Sequence, residues 1–212
     1  MLGHPGGEKH SRYLIELAFL EKGTKWLDMG SGDGSTVRLL RTLGYGAEGI
    51  DLEPRGKDVQ RGNYLEAPWQ DGFFDGIISQ CSFYVSGEVS AALKEAARLL
   101  HKGGKLVFSD VTENVVTLLN QCREAGFAVR HLEDLTDQWK EYYLEALWTQ
   151  DNVCLPRGKK FRYMLFVCES FSVKDKFDAS CKLMNETVKG LFQDGVLCKG
   201  LDKYTLQLFN LF

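Results

Sequence analysis

Three glycines spaced by one hydroxyl and one acid, Gly30-Ser31-Gly32-Asp33-Gly34, form the densest chemical signal in the chain. Glycine lets the backbone turn tightly and approach a ligand with no side chain in the way. The N–H groups at the start of a following helix attract an anionic or polar group. The carboxylate of Asp51 follows ~20 residues past the loop, where a strand-end acid can accept hydrogen bonds from two ribose hydroxyls. The pair describes a site for a nucleoside-containing ligand. Taken singly, the loop also reads as a tight strand-to-helix turn, and Asp51 as a solvated acid. Glu53 offers the same group two positions later, but Asp51 directly continues an apolar strand.

A second set of residues suits an acceptor molecule. Trp139, Tyr142 and Tyr143 offer aromatic faces, which can hold a cationic group. The same residues, with Ala146, also have the helical spacing of a packed face. His131 has the chemistry of a general base, or of a surface histidine at a strand end. The six cysteines, Cys81, Cys122, Cys154, Cys168, Cys181 and Cys198, have irregular spacing with no C-x-x-C pair. They read as reduced thiols rather than metal ligands or a redox pair. Thiolates converging on one soft ion would require Cys81 and Cys154 to meet, which their spacing does not show. No metal site is expected.

These residues need a frame. Glu8 to Lys22 is expected to be a helix closed by Gly23. Lys25–Met29 reads as a strand entering the glycine loop, Thr36–Leu43 as the helix after it, and Ala47–Asp51 as the second strand. The alternation continues with strand Phe74–Gln80, helix Val89–Leu100, strand Lys105–Ser109, helix Val115–Ala125 and strand Phe127–Leu132. His101-Lys102-Gly103-Gly104 reads as the end of the helix before the Lys105 strand. Strands alternating with helices imply a doubly wound, mostly parallel α/β sheet with helices on both faces. Ligands sit beyond the C-terminal strand ends of such sheets. Helices at Asp137–Trp148 and Lys182–Phe192 and a closing strand at Lys203–Phe212 complete the expected elements.

The 212 residues carry 26 basic and 29 acidic side chains, a net charge of −3. There is thus no overall basic field for nucleic acid or an anionic membrane. The run Arg157-Gly158-Lys159-Lys160-Phe161-Arg162 reads as a solvated loop. No apolar stretch approaches the ~20 residues of a membrane span. The opening Met1-Leu2-Gly3-His4-Pro5-Gly6-Gly7 has no secretion-signal pattern. A cytoplasmic protein is expected.

Four motifs recur in order: Leu27-Asp28-Met29-Gly30-Ser31-Gly32-Asp33-Gly34, Gly49-Ile50-Asp51, Phe74-Asp75-Gly76-Ile77-Ile78-Ser79, and Leu99-Leu100-His101-Lys102-Gly103-Gly104-Lys105-Leu106-Val107-Phe108-Ser109-Asp110. From about Gly23 to Leu132 the chain resembles class I S-adenosylmethionine (SAM)-dependent methyltransferases. Within them it is similar to small-molecule enzymes of the arsenite and ubiquinone-pathway type. His4-Pro5-Gly6-Gly7 also resembles a lead-in of some bacterial members. The resemblance implies a Rossmann-like fold with a final antiparallel strand, SAM as cofactor and a small-molecule methyl acceptor. It implies that Gly30, Ser31 and Gly32 pass under the methionine part of SAM and that Asp28 helps hold its ammonium end. Asp51 would bind the ribose and Leu52 the adenine face. Asn63, in Gly62-Asn63-Tyr64 where Gly-Asp-Ala is commoner, would meet the adenine amino group, and the Tyr64 N–H its ring nitrogen. Gln80 and Cys81 would lie beside the sulfonium and the acceptor.

The resulting expectation is one domain over residues 1–212. Residues 1–22 form a helical lid, 23–132 the cofactor core, and 133–212 the acceptor-side helices and closing strand. Tyr13 on the lid would join Trp139, Tyr142 and Tyr143 around the acceptor. Methyl transfer needs alignment more than covalent help, so no catalytic triad is expected. Two other readings share the motifs. One is a nicotinamide-dependent oxidoreductase, against which Ser35 occupies the third glycine position of G-x-G-x-x-G. The other is a SAM-binding regulatory protein without turnover.

Overall fold

The computed structural model describes residues 4–148 and 161–171, all within the unit Met1–Ser172. Along the chain come α1 (Gly7–Leu17), β1 (Lys25–Met29), α2 (Ser35–Thr42), β2 (Gly46–Asp51), β3 (Gln60–Arg61) and β4 (Phe74–Gln80). Then follow α3 (Phe83–Ser86), α4 (Val89–Leu99), β5 (Leu100–Thr112), α5 (Val115–Ala125), β6 (Phe127–Asp134), α6 (Thr136–Trp148) and β7 (Arg162–Ser170). The strands form one sheet in the order β3-β2-β1-β4-β5-β7-β6. Strands β1 to β5 pair in parallel. β7 runs antiparallel between β5 and β6.

Alternation along each strand builds a core on each face of the sheet. Leu27, Ile77, Leu106 and Phe108 point to one face and pack with Leu93, Leu99, Leu118 and Cys122 of α4 and α5. Trp26, Ile78 and Val107 point to the other and pack with Leu14, Val37, Leu40 and Trp139 of α1, α2 and α6. Helices on both faces explain why the central strands are apolar at nearly every position.

The structure departs from the expected elements at three places. The first helix stops at Leu17, short of Lys22, and Phe19 adopts φ 51. The segment His101–Gly104 belongs to β5, which starts at Leu100 and breaks register between Phe74 and Gly76. The antiparallel strand is Arg162–Ser170, a segment not read as a strand from the sequence. Six of its nine residues, Tyr163 to Cys168, form one unbroken buried run. Such a run has no alternation to reveal it. Of the basic run, Arg162 opens β7 and pairs with Asp134 at 3.0 Å, while 157–160 lie outside the described residues, as do the expected elements Lys182–Phe192 and Lys203–Phe212.

Candidate active site

The glycine loop leaves β1 at the C-terminal edge of the sheet, where a parallel strand hands over to its helix. The N–H groups of Gly30 and Ser31 both donate to the Ile50 carbonyl, at 2.9 and 3.1 Å. The Ser31 hydroxyl donates to the Asp28 carbonyl at 2.6 Å. Gly30 (φ 85) and Gly32 (φ 53) occupy left-handed backbone, which side chains adopt only at a cost. A Cβ on Gly30 would lie 2.1 Å from Ser82 Oγ. The loop is therefore pressed against the turn that follows β4.

Asp51 is where the sequence places it, at the tip of β2, and it is bonded to the loop. Its Oδ2 accepts from the Gly32 N–H at 2.8 Å and its Oδ1 from the Glu53 N–H at 2.8 Å. A carboxylate has about four acceptor sites, so it retains capacity for further donors. Leu52 beside it is 61% exposed, and Glu53 is exposed. The Arg55 N–H donates to the Gly32 carbonyl at 2.8 Å, drawing the segment after β2 over the loop. Asp28 is buried beneath the loop. Burial pushes its carboxyl up to about 7, the Ser31 hydroxyl opposing and Asp51 and Asp33 adding. A cation above the loop would favour its ionised form.

Asn63 caps the short 3-10 turn Tyr64–Glu66, its Oδ1 accepting from the Leu65 N–H at 3.0 Å. Tyr64 is buried and donates its hydroxyl to the Ser82 carbonyl at 3.0 Å. The side chain of Tyr64 thus supports the turn after β4.

That turn is clamped from both sides. Asp110, at the end of β5, accepts from the Tyr84 N–H at 2.9 Å and the Val111 N–H at 2.8 Å. Burial pushes Asp110 up to about 6 against the pull of these backbone bonds. Cys81 sits in left-handed backbone at φ 54, unusual without glycine. Its thiol donates to the Tyr163 hydroxyl at 3.5 Å, which donates to Ser109 Oγ at 2.8 Å. Ser109 Oγ lies 2.9 Å from His10 Nε2. Burial holds the His10 imidazole down to about 4, with His4 adding. Burial also pushes the Cys81 thiol up to about 12, Asp110 adding and the Tyr163 bond opposing. At neutral pH the chain Cys81–Tyr163–Ser109–His10 is thus uncharged.

Gln80 turns toward the N-terminal segment. Its Oε1 accepts from Ser11 Oγ at 3.0 Å and Thr36 Oγ1 at 3.3 Å, and its Nε2 lies 3.1 Å from His4 Nδ1. The N-terminal segment and α2 are fastened to the tip of β4 through this one amide. His4, His10, Ser11, Asp110 and Tyr163 were not among the residues picked out as site residues. His4 and Asp110 lay inside motifs already noted, whereas Tyr163 belongs to the strand the sequence concealed.

A profile described as a methyltransferase domain matches residues 7–164. The chain belongs to this methyltransferase family. It is 32% identical over 104 residues to a glycine/sarcosine/dimethylglycine N-methyltransferase of Actinopolyspora halophila, covering 41% of this chain and 18% of that protein. It is 33% identical over 138 residues to an arsenite methyltransferase of Aquipseudomonas alcaligenes, covering 51% of this chain and 39% of that one. The chain therefore spans less than half the length of either relative. Among solved structures, a Haemonchus contortus phosphoethanolamine N-methyltransferase 2 in complex with S-adenosyl-L-methionine superposes with a TM-score of 0.67. That match has 16% identity over 80% of this chain and 54% of the other. It shows a shared fold, the Rossmann-like methyltransferase sheet.

In this methyltransferase domain the expected acceptor-side residues fall in different places. Tyr13 is 38% exposed and donates its hydroxyl to Glu133 at 2.8 Å, and His131 Nε2 lies 3.5 Å from the same carboxylate. These three meet at the end of β6. Trp139 is buried in the cluster that also holds Leu14, Leu135 and Tyr163, a position that packs α6 on the sheet. Tyr142 is half-buried, and the Tyr143 side chain lies outside what is described. Cys81 is a protonated thiol, Cys122 and Cys168 are buried on the α4/α5 face, and Cys154 lies outside the described residues. Among the described residues no group of three His, Cys, Asp or Glu could hold a metal, and no helix is long and apolar enough to cross a membrane. A pocket of about 190 Å³ opens beyond the C-terminal end of β5, between α3, α4 and α5.

Proposed function

We propose that this chain transfers a methyl group from S-adenosylmethionine to a small-molecule acceptor. The observation that carries the reading is the bond from the Gly32 N–H to Asp51 Oδ2 at 2.8 Å. It joins the positive-φ loop and the strand-end acid into one cradle. The residues suit the cofactor. The loop presents backbone without side chains, Asp51 keeps lone pairs for ribose hydroxyls, and exposed Leu52 gives an adenine ring an apolar face. Buried Asp28, with a carboxyl held near neutrality, answers a cationic methionine end.

When bound, the sulfonium supplies an activated methyl carbon, and its loss to a nucleophile leaves S-adenosylhomocysteine. The protein's part is to align and enclose. Gly30, Ser31 and Gly32 set the height of the methionine chain, Asn63 and the Tyr64 N–H read the adenine edge, and Gln80 holds residues 1–22 as a lid. The Cys81 turn, held by Asp110 and Tyr163, forms the wall nearest the acceptor. The reading places the protein in the cytoplasm, supported by the free thiols Cys81, Cys122 and Cys168.

Titration calorimetry with SAM, S-adenosylhomocysteine and NAD tests the reading. The first two should bind and NAD should not. Asp51→Ala should weaken SAM binding by ~1.5–3 kcal/mol, the range for hydrogen bonds to a charged group. Preference for NAD, or unchanged SAM affinity in a folded Asp51→Ala, would overturn it.

A further inference from the structure

His4, Ser11 and Gln80 close a ring of hydrogen bonds, and a neutral His4 gives that ring one direction. Gln80 Oε1 can only accept, and the Ser11 hydroxyl donates to it at 3.0 Å. The other acceptor near that hydroxyl, the Gly7 carbonyl, is farther away at 3.5 Å. A hydroxyl has one proton, so at the 3.0 Å contact between Ser11 Oγ and His4 Nε2 the imidazole is the donor. A neutral imidazole carries one N–H, which leaves Nδ1 to accept. The amide nitrogen of Gln80 can only donate, and it lies 3.1 Å from Nδ1. Thr36 Oγ1 adds a second donation to Gln80 Oε1 at 3.3 Å. The ring therefore ties the N-terminal segment to the tip of β4 and, through Thr36, to the helix that follows the glycine loop.

Nδ1 has a rival partner. The Pro5 carbonyl lies 3.2 Å from it and can only accept. Without a proton, Nδ1 takes the bond from Gln80. With a proton it donates to Pro5 and turns an N–H toward the N–H groups of Gln80, which repel it. Two titratable groups face the imidazole: His10 of α1, with ring centroids 6.1 Å apart, and Asp33 of the glycine loop. Thr36 of α2 and Gln80 of β4 are uncharged. Burial holds His4 below the ordinary 6.5, the Pro5 bond and Asp33 opposing. The bond to Gln80 is thus present above pH 6.5 and is lost as pH falls through the lower folded value.

We propose that His4 is a positioning residue that works as a proton-operated latch. In its neutral Nε2–H form it holds the N-terminal segment on Gln80. On taking a proton at Nδ1 it turns to Pro5 and releases Gln80. The consequence for the site rests on the methyl-transfer reading, in which Gln80 stands beside the sulfonium.

Imidazole ¹⁵N NMR of the full chain, with His4 assigned through His4→Gln, reports the tautomer. At pH 7.5 His4 should be in the Nε2–H form. Gln80→Leu removes the donor to Nδ1, so His4 should change to the Nδ1–H form that donates to Pro5. A purely structural role would not move that signal. Release of the segment is read by hydrogen exchange of the α1 amides, corrected for intrinsic rates. Between pH 7.5 and 5, protection in the parent should fall roughly threefold or more beyond the fall in His4→Gln, as the loss of one net hydrogen bond predicts. That variant keeps His10, so the comparison cancels its titration. An Nδ1–H or charged His4 in the parent at pH 7.5, an unchanged tautomer in Gln80→Leu, or equal falls in the parent and His4→Gln each overturns the proposal. Calorimetry with S-adenosylhomocysteine at pH 7.5 separates the two readings. Absence of binding there would overturn the cofactor reading, while the tautomer and exchange results still decide the latch.

Discussion

Gly30 and His10 show how single positions set the limits of this site. At Gly30 two costs coincide: φ is 85, and a Cβ would meet Ser82 Oγ at 2.1 Å. Gly30→Ala should lower stability by ~1–3 kcal/mol, the usual cost of a strained backbone position, and should weaken SAM binding. Adding Ser82→Gly removes the collision but not the strained φ, so thermal unfolding should recover only in part. No recovery would mean the contact with Ser82 is not a source of the loss. His10 has a different signature. Its imidazole titrates at 6.5 when unperturbed and about 4 in the fold, so between those values the unfolded chain holds the extra proton. The stability from a neutral His10 is present above pH 6.5 and is lost as pH falls toward 4. Asp28 and Asp110 act in the opposite sense. Their folded values of about 7 and about 6 lie above the ordinary 3.8, so their contribution is greatest in acid and is lost as pH rises. Comparing His10→Gln with the parent cancels the carboxylates. Between pH 7 and 4.5 the parent should lose roughly 2–3 kcal/mol more than the variant. Urea unfolding at both pH values measures this, and equal losses would refute the assignment.

At the scale of elements, α1 and the residues before it are held by few bonds. Ser11 and His4 reach Gln80, and His10 reaches Ser109. Gln80→Leu removes the first two. With each net bond worth ~0.5–1.5 kcal/mol, the two together amount to ~1–3 kcal/mol, and the N-terminal segment should open roughly 5–150-fold more often. Limited trypsin digestion reads this at Lys9 and Arg12, and unchanged cleavage would show that the Gln80 bonds do not hold α1, leaving that to the His10 and Tyr13 bonds and the packing of Leu14 and Ile15. The same scale explains β7. Its burial on both faces comes from insertion between β5 and β6, where α5 covers one side and α6 the other. That insertion brings Tyr163 to Ser109 and carries the buried hydrogen-bond chain to Cys81.

For the whole molecule, the net charge of −3 argues against recognition of a phosphate backbone, which needs clustered Lys and Arg. Arg162, the described cation of the basic run, is paired with Asp134. Filter binding with RNA and DNA at low and moderate salt should show no tight complex. Salt-sensitive, submicromolar binding would count against a small-molecule acceptor.

The glycine loop and the strand-end acid bonded to it were legible in the sequence because their signals are local. A glycine loop is written in adjacent residues, and the strand–loop–helix period positions Asp51 without long-range information. The alternation from Lys25 to Leu132 specified a doubly wound sheet for the same reason. What depended on tertiary structure was the rest. Strand order placed β7 between β5 and β6. The joint packing of α1, β4, β5 and β7 joined His10, Ser109, Tyr163 and Cys81, which are 28 to 153 positions apart in the chain. The pocket exists only where α3, α4 and α5 leave space at the end of β5. No period or spacing encodes contacts of that range, because they follow from which faces meet once the sheet has formed.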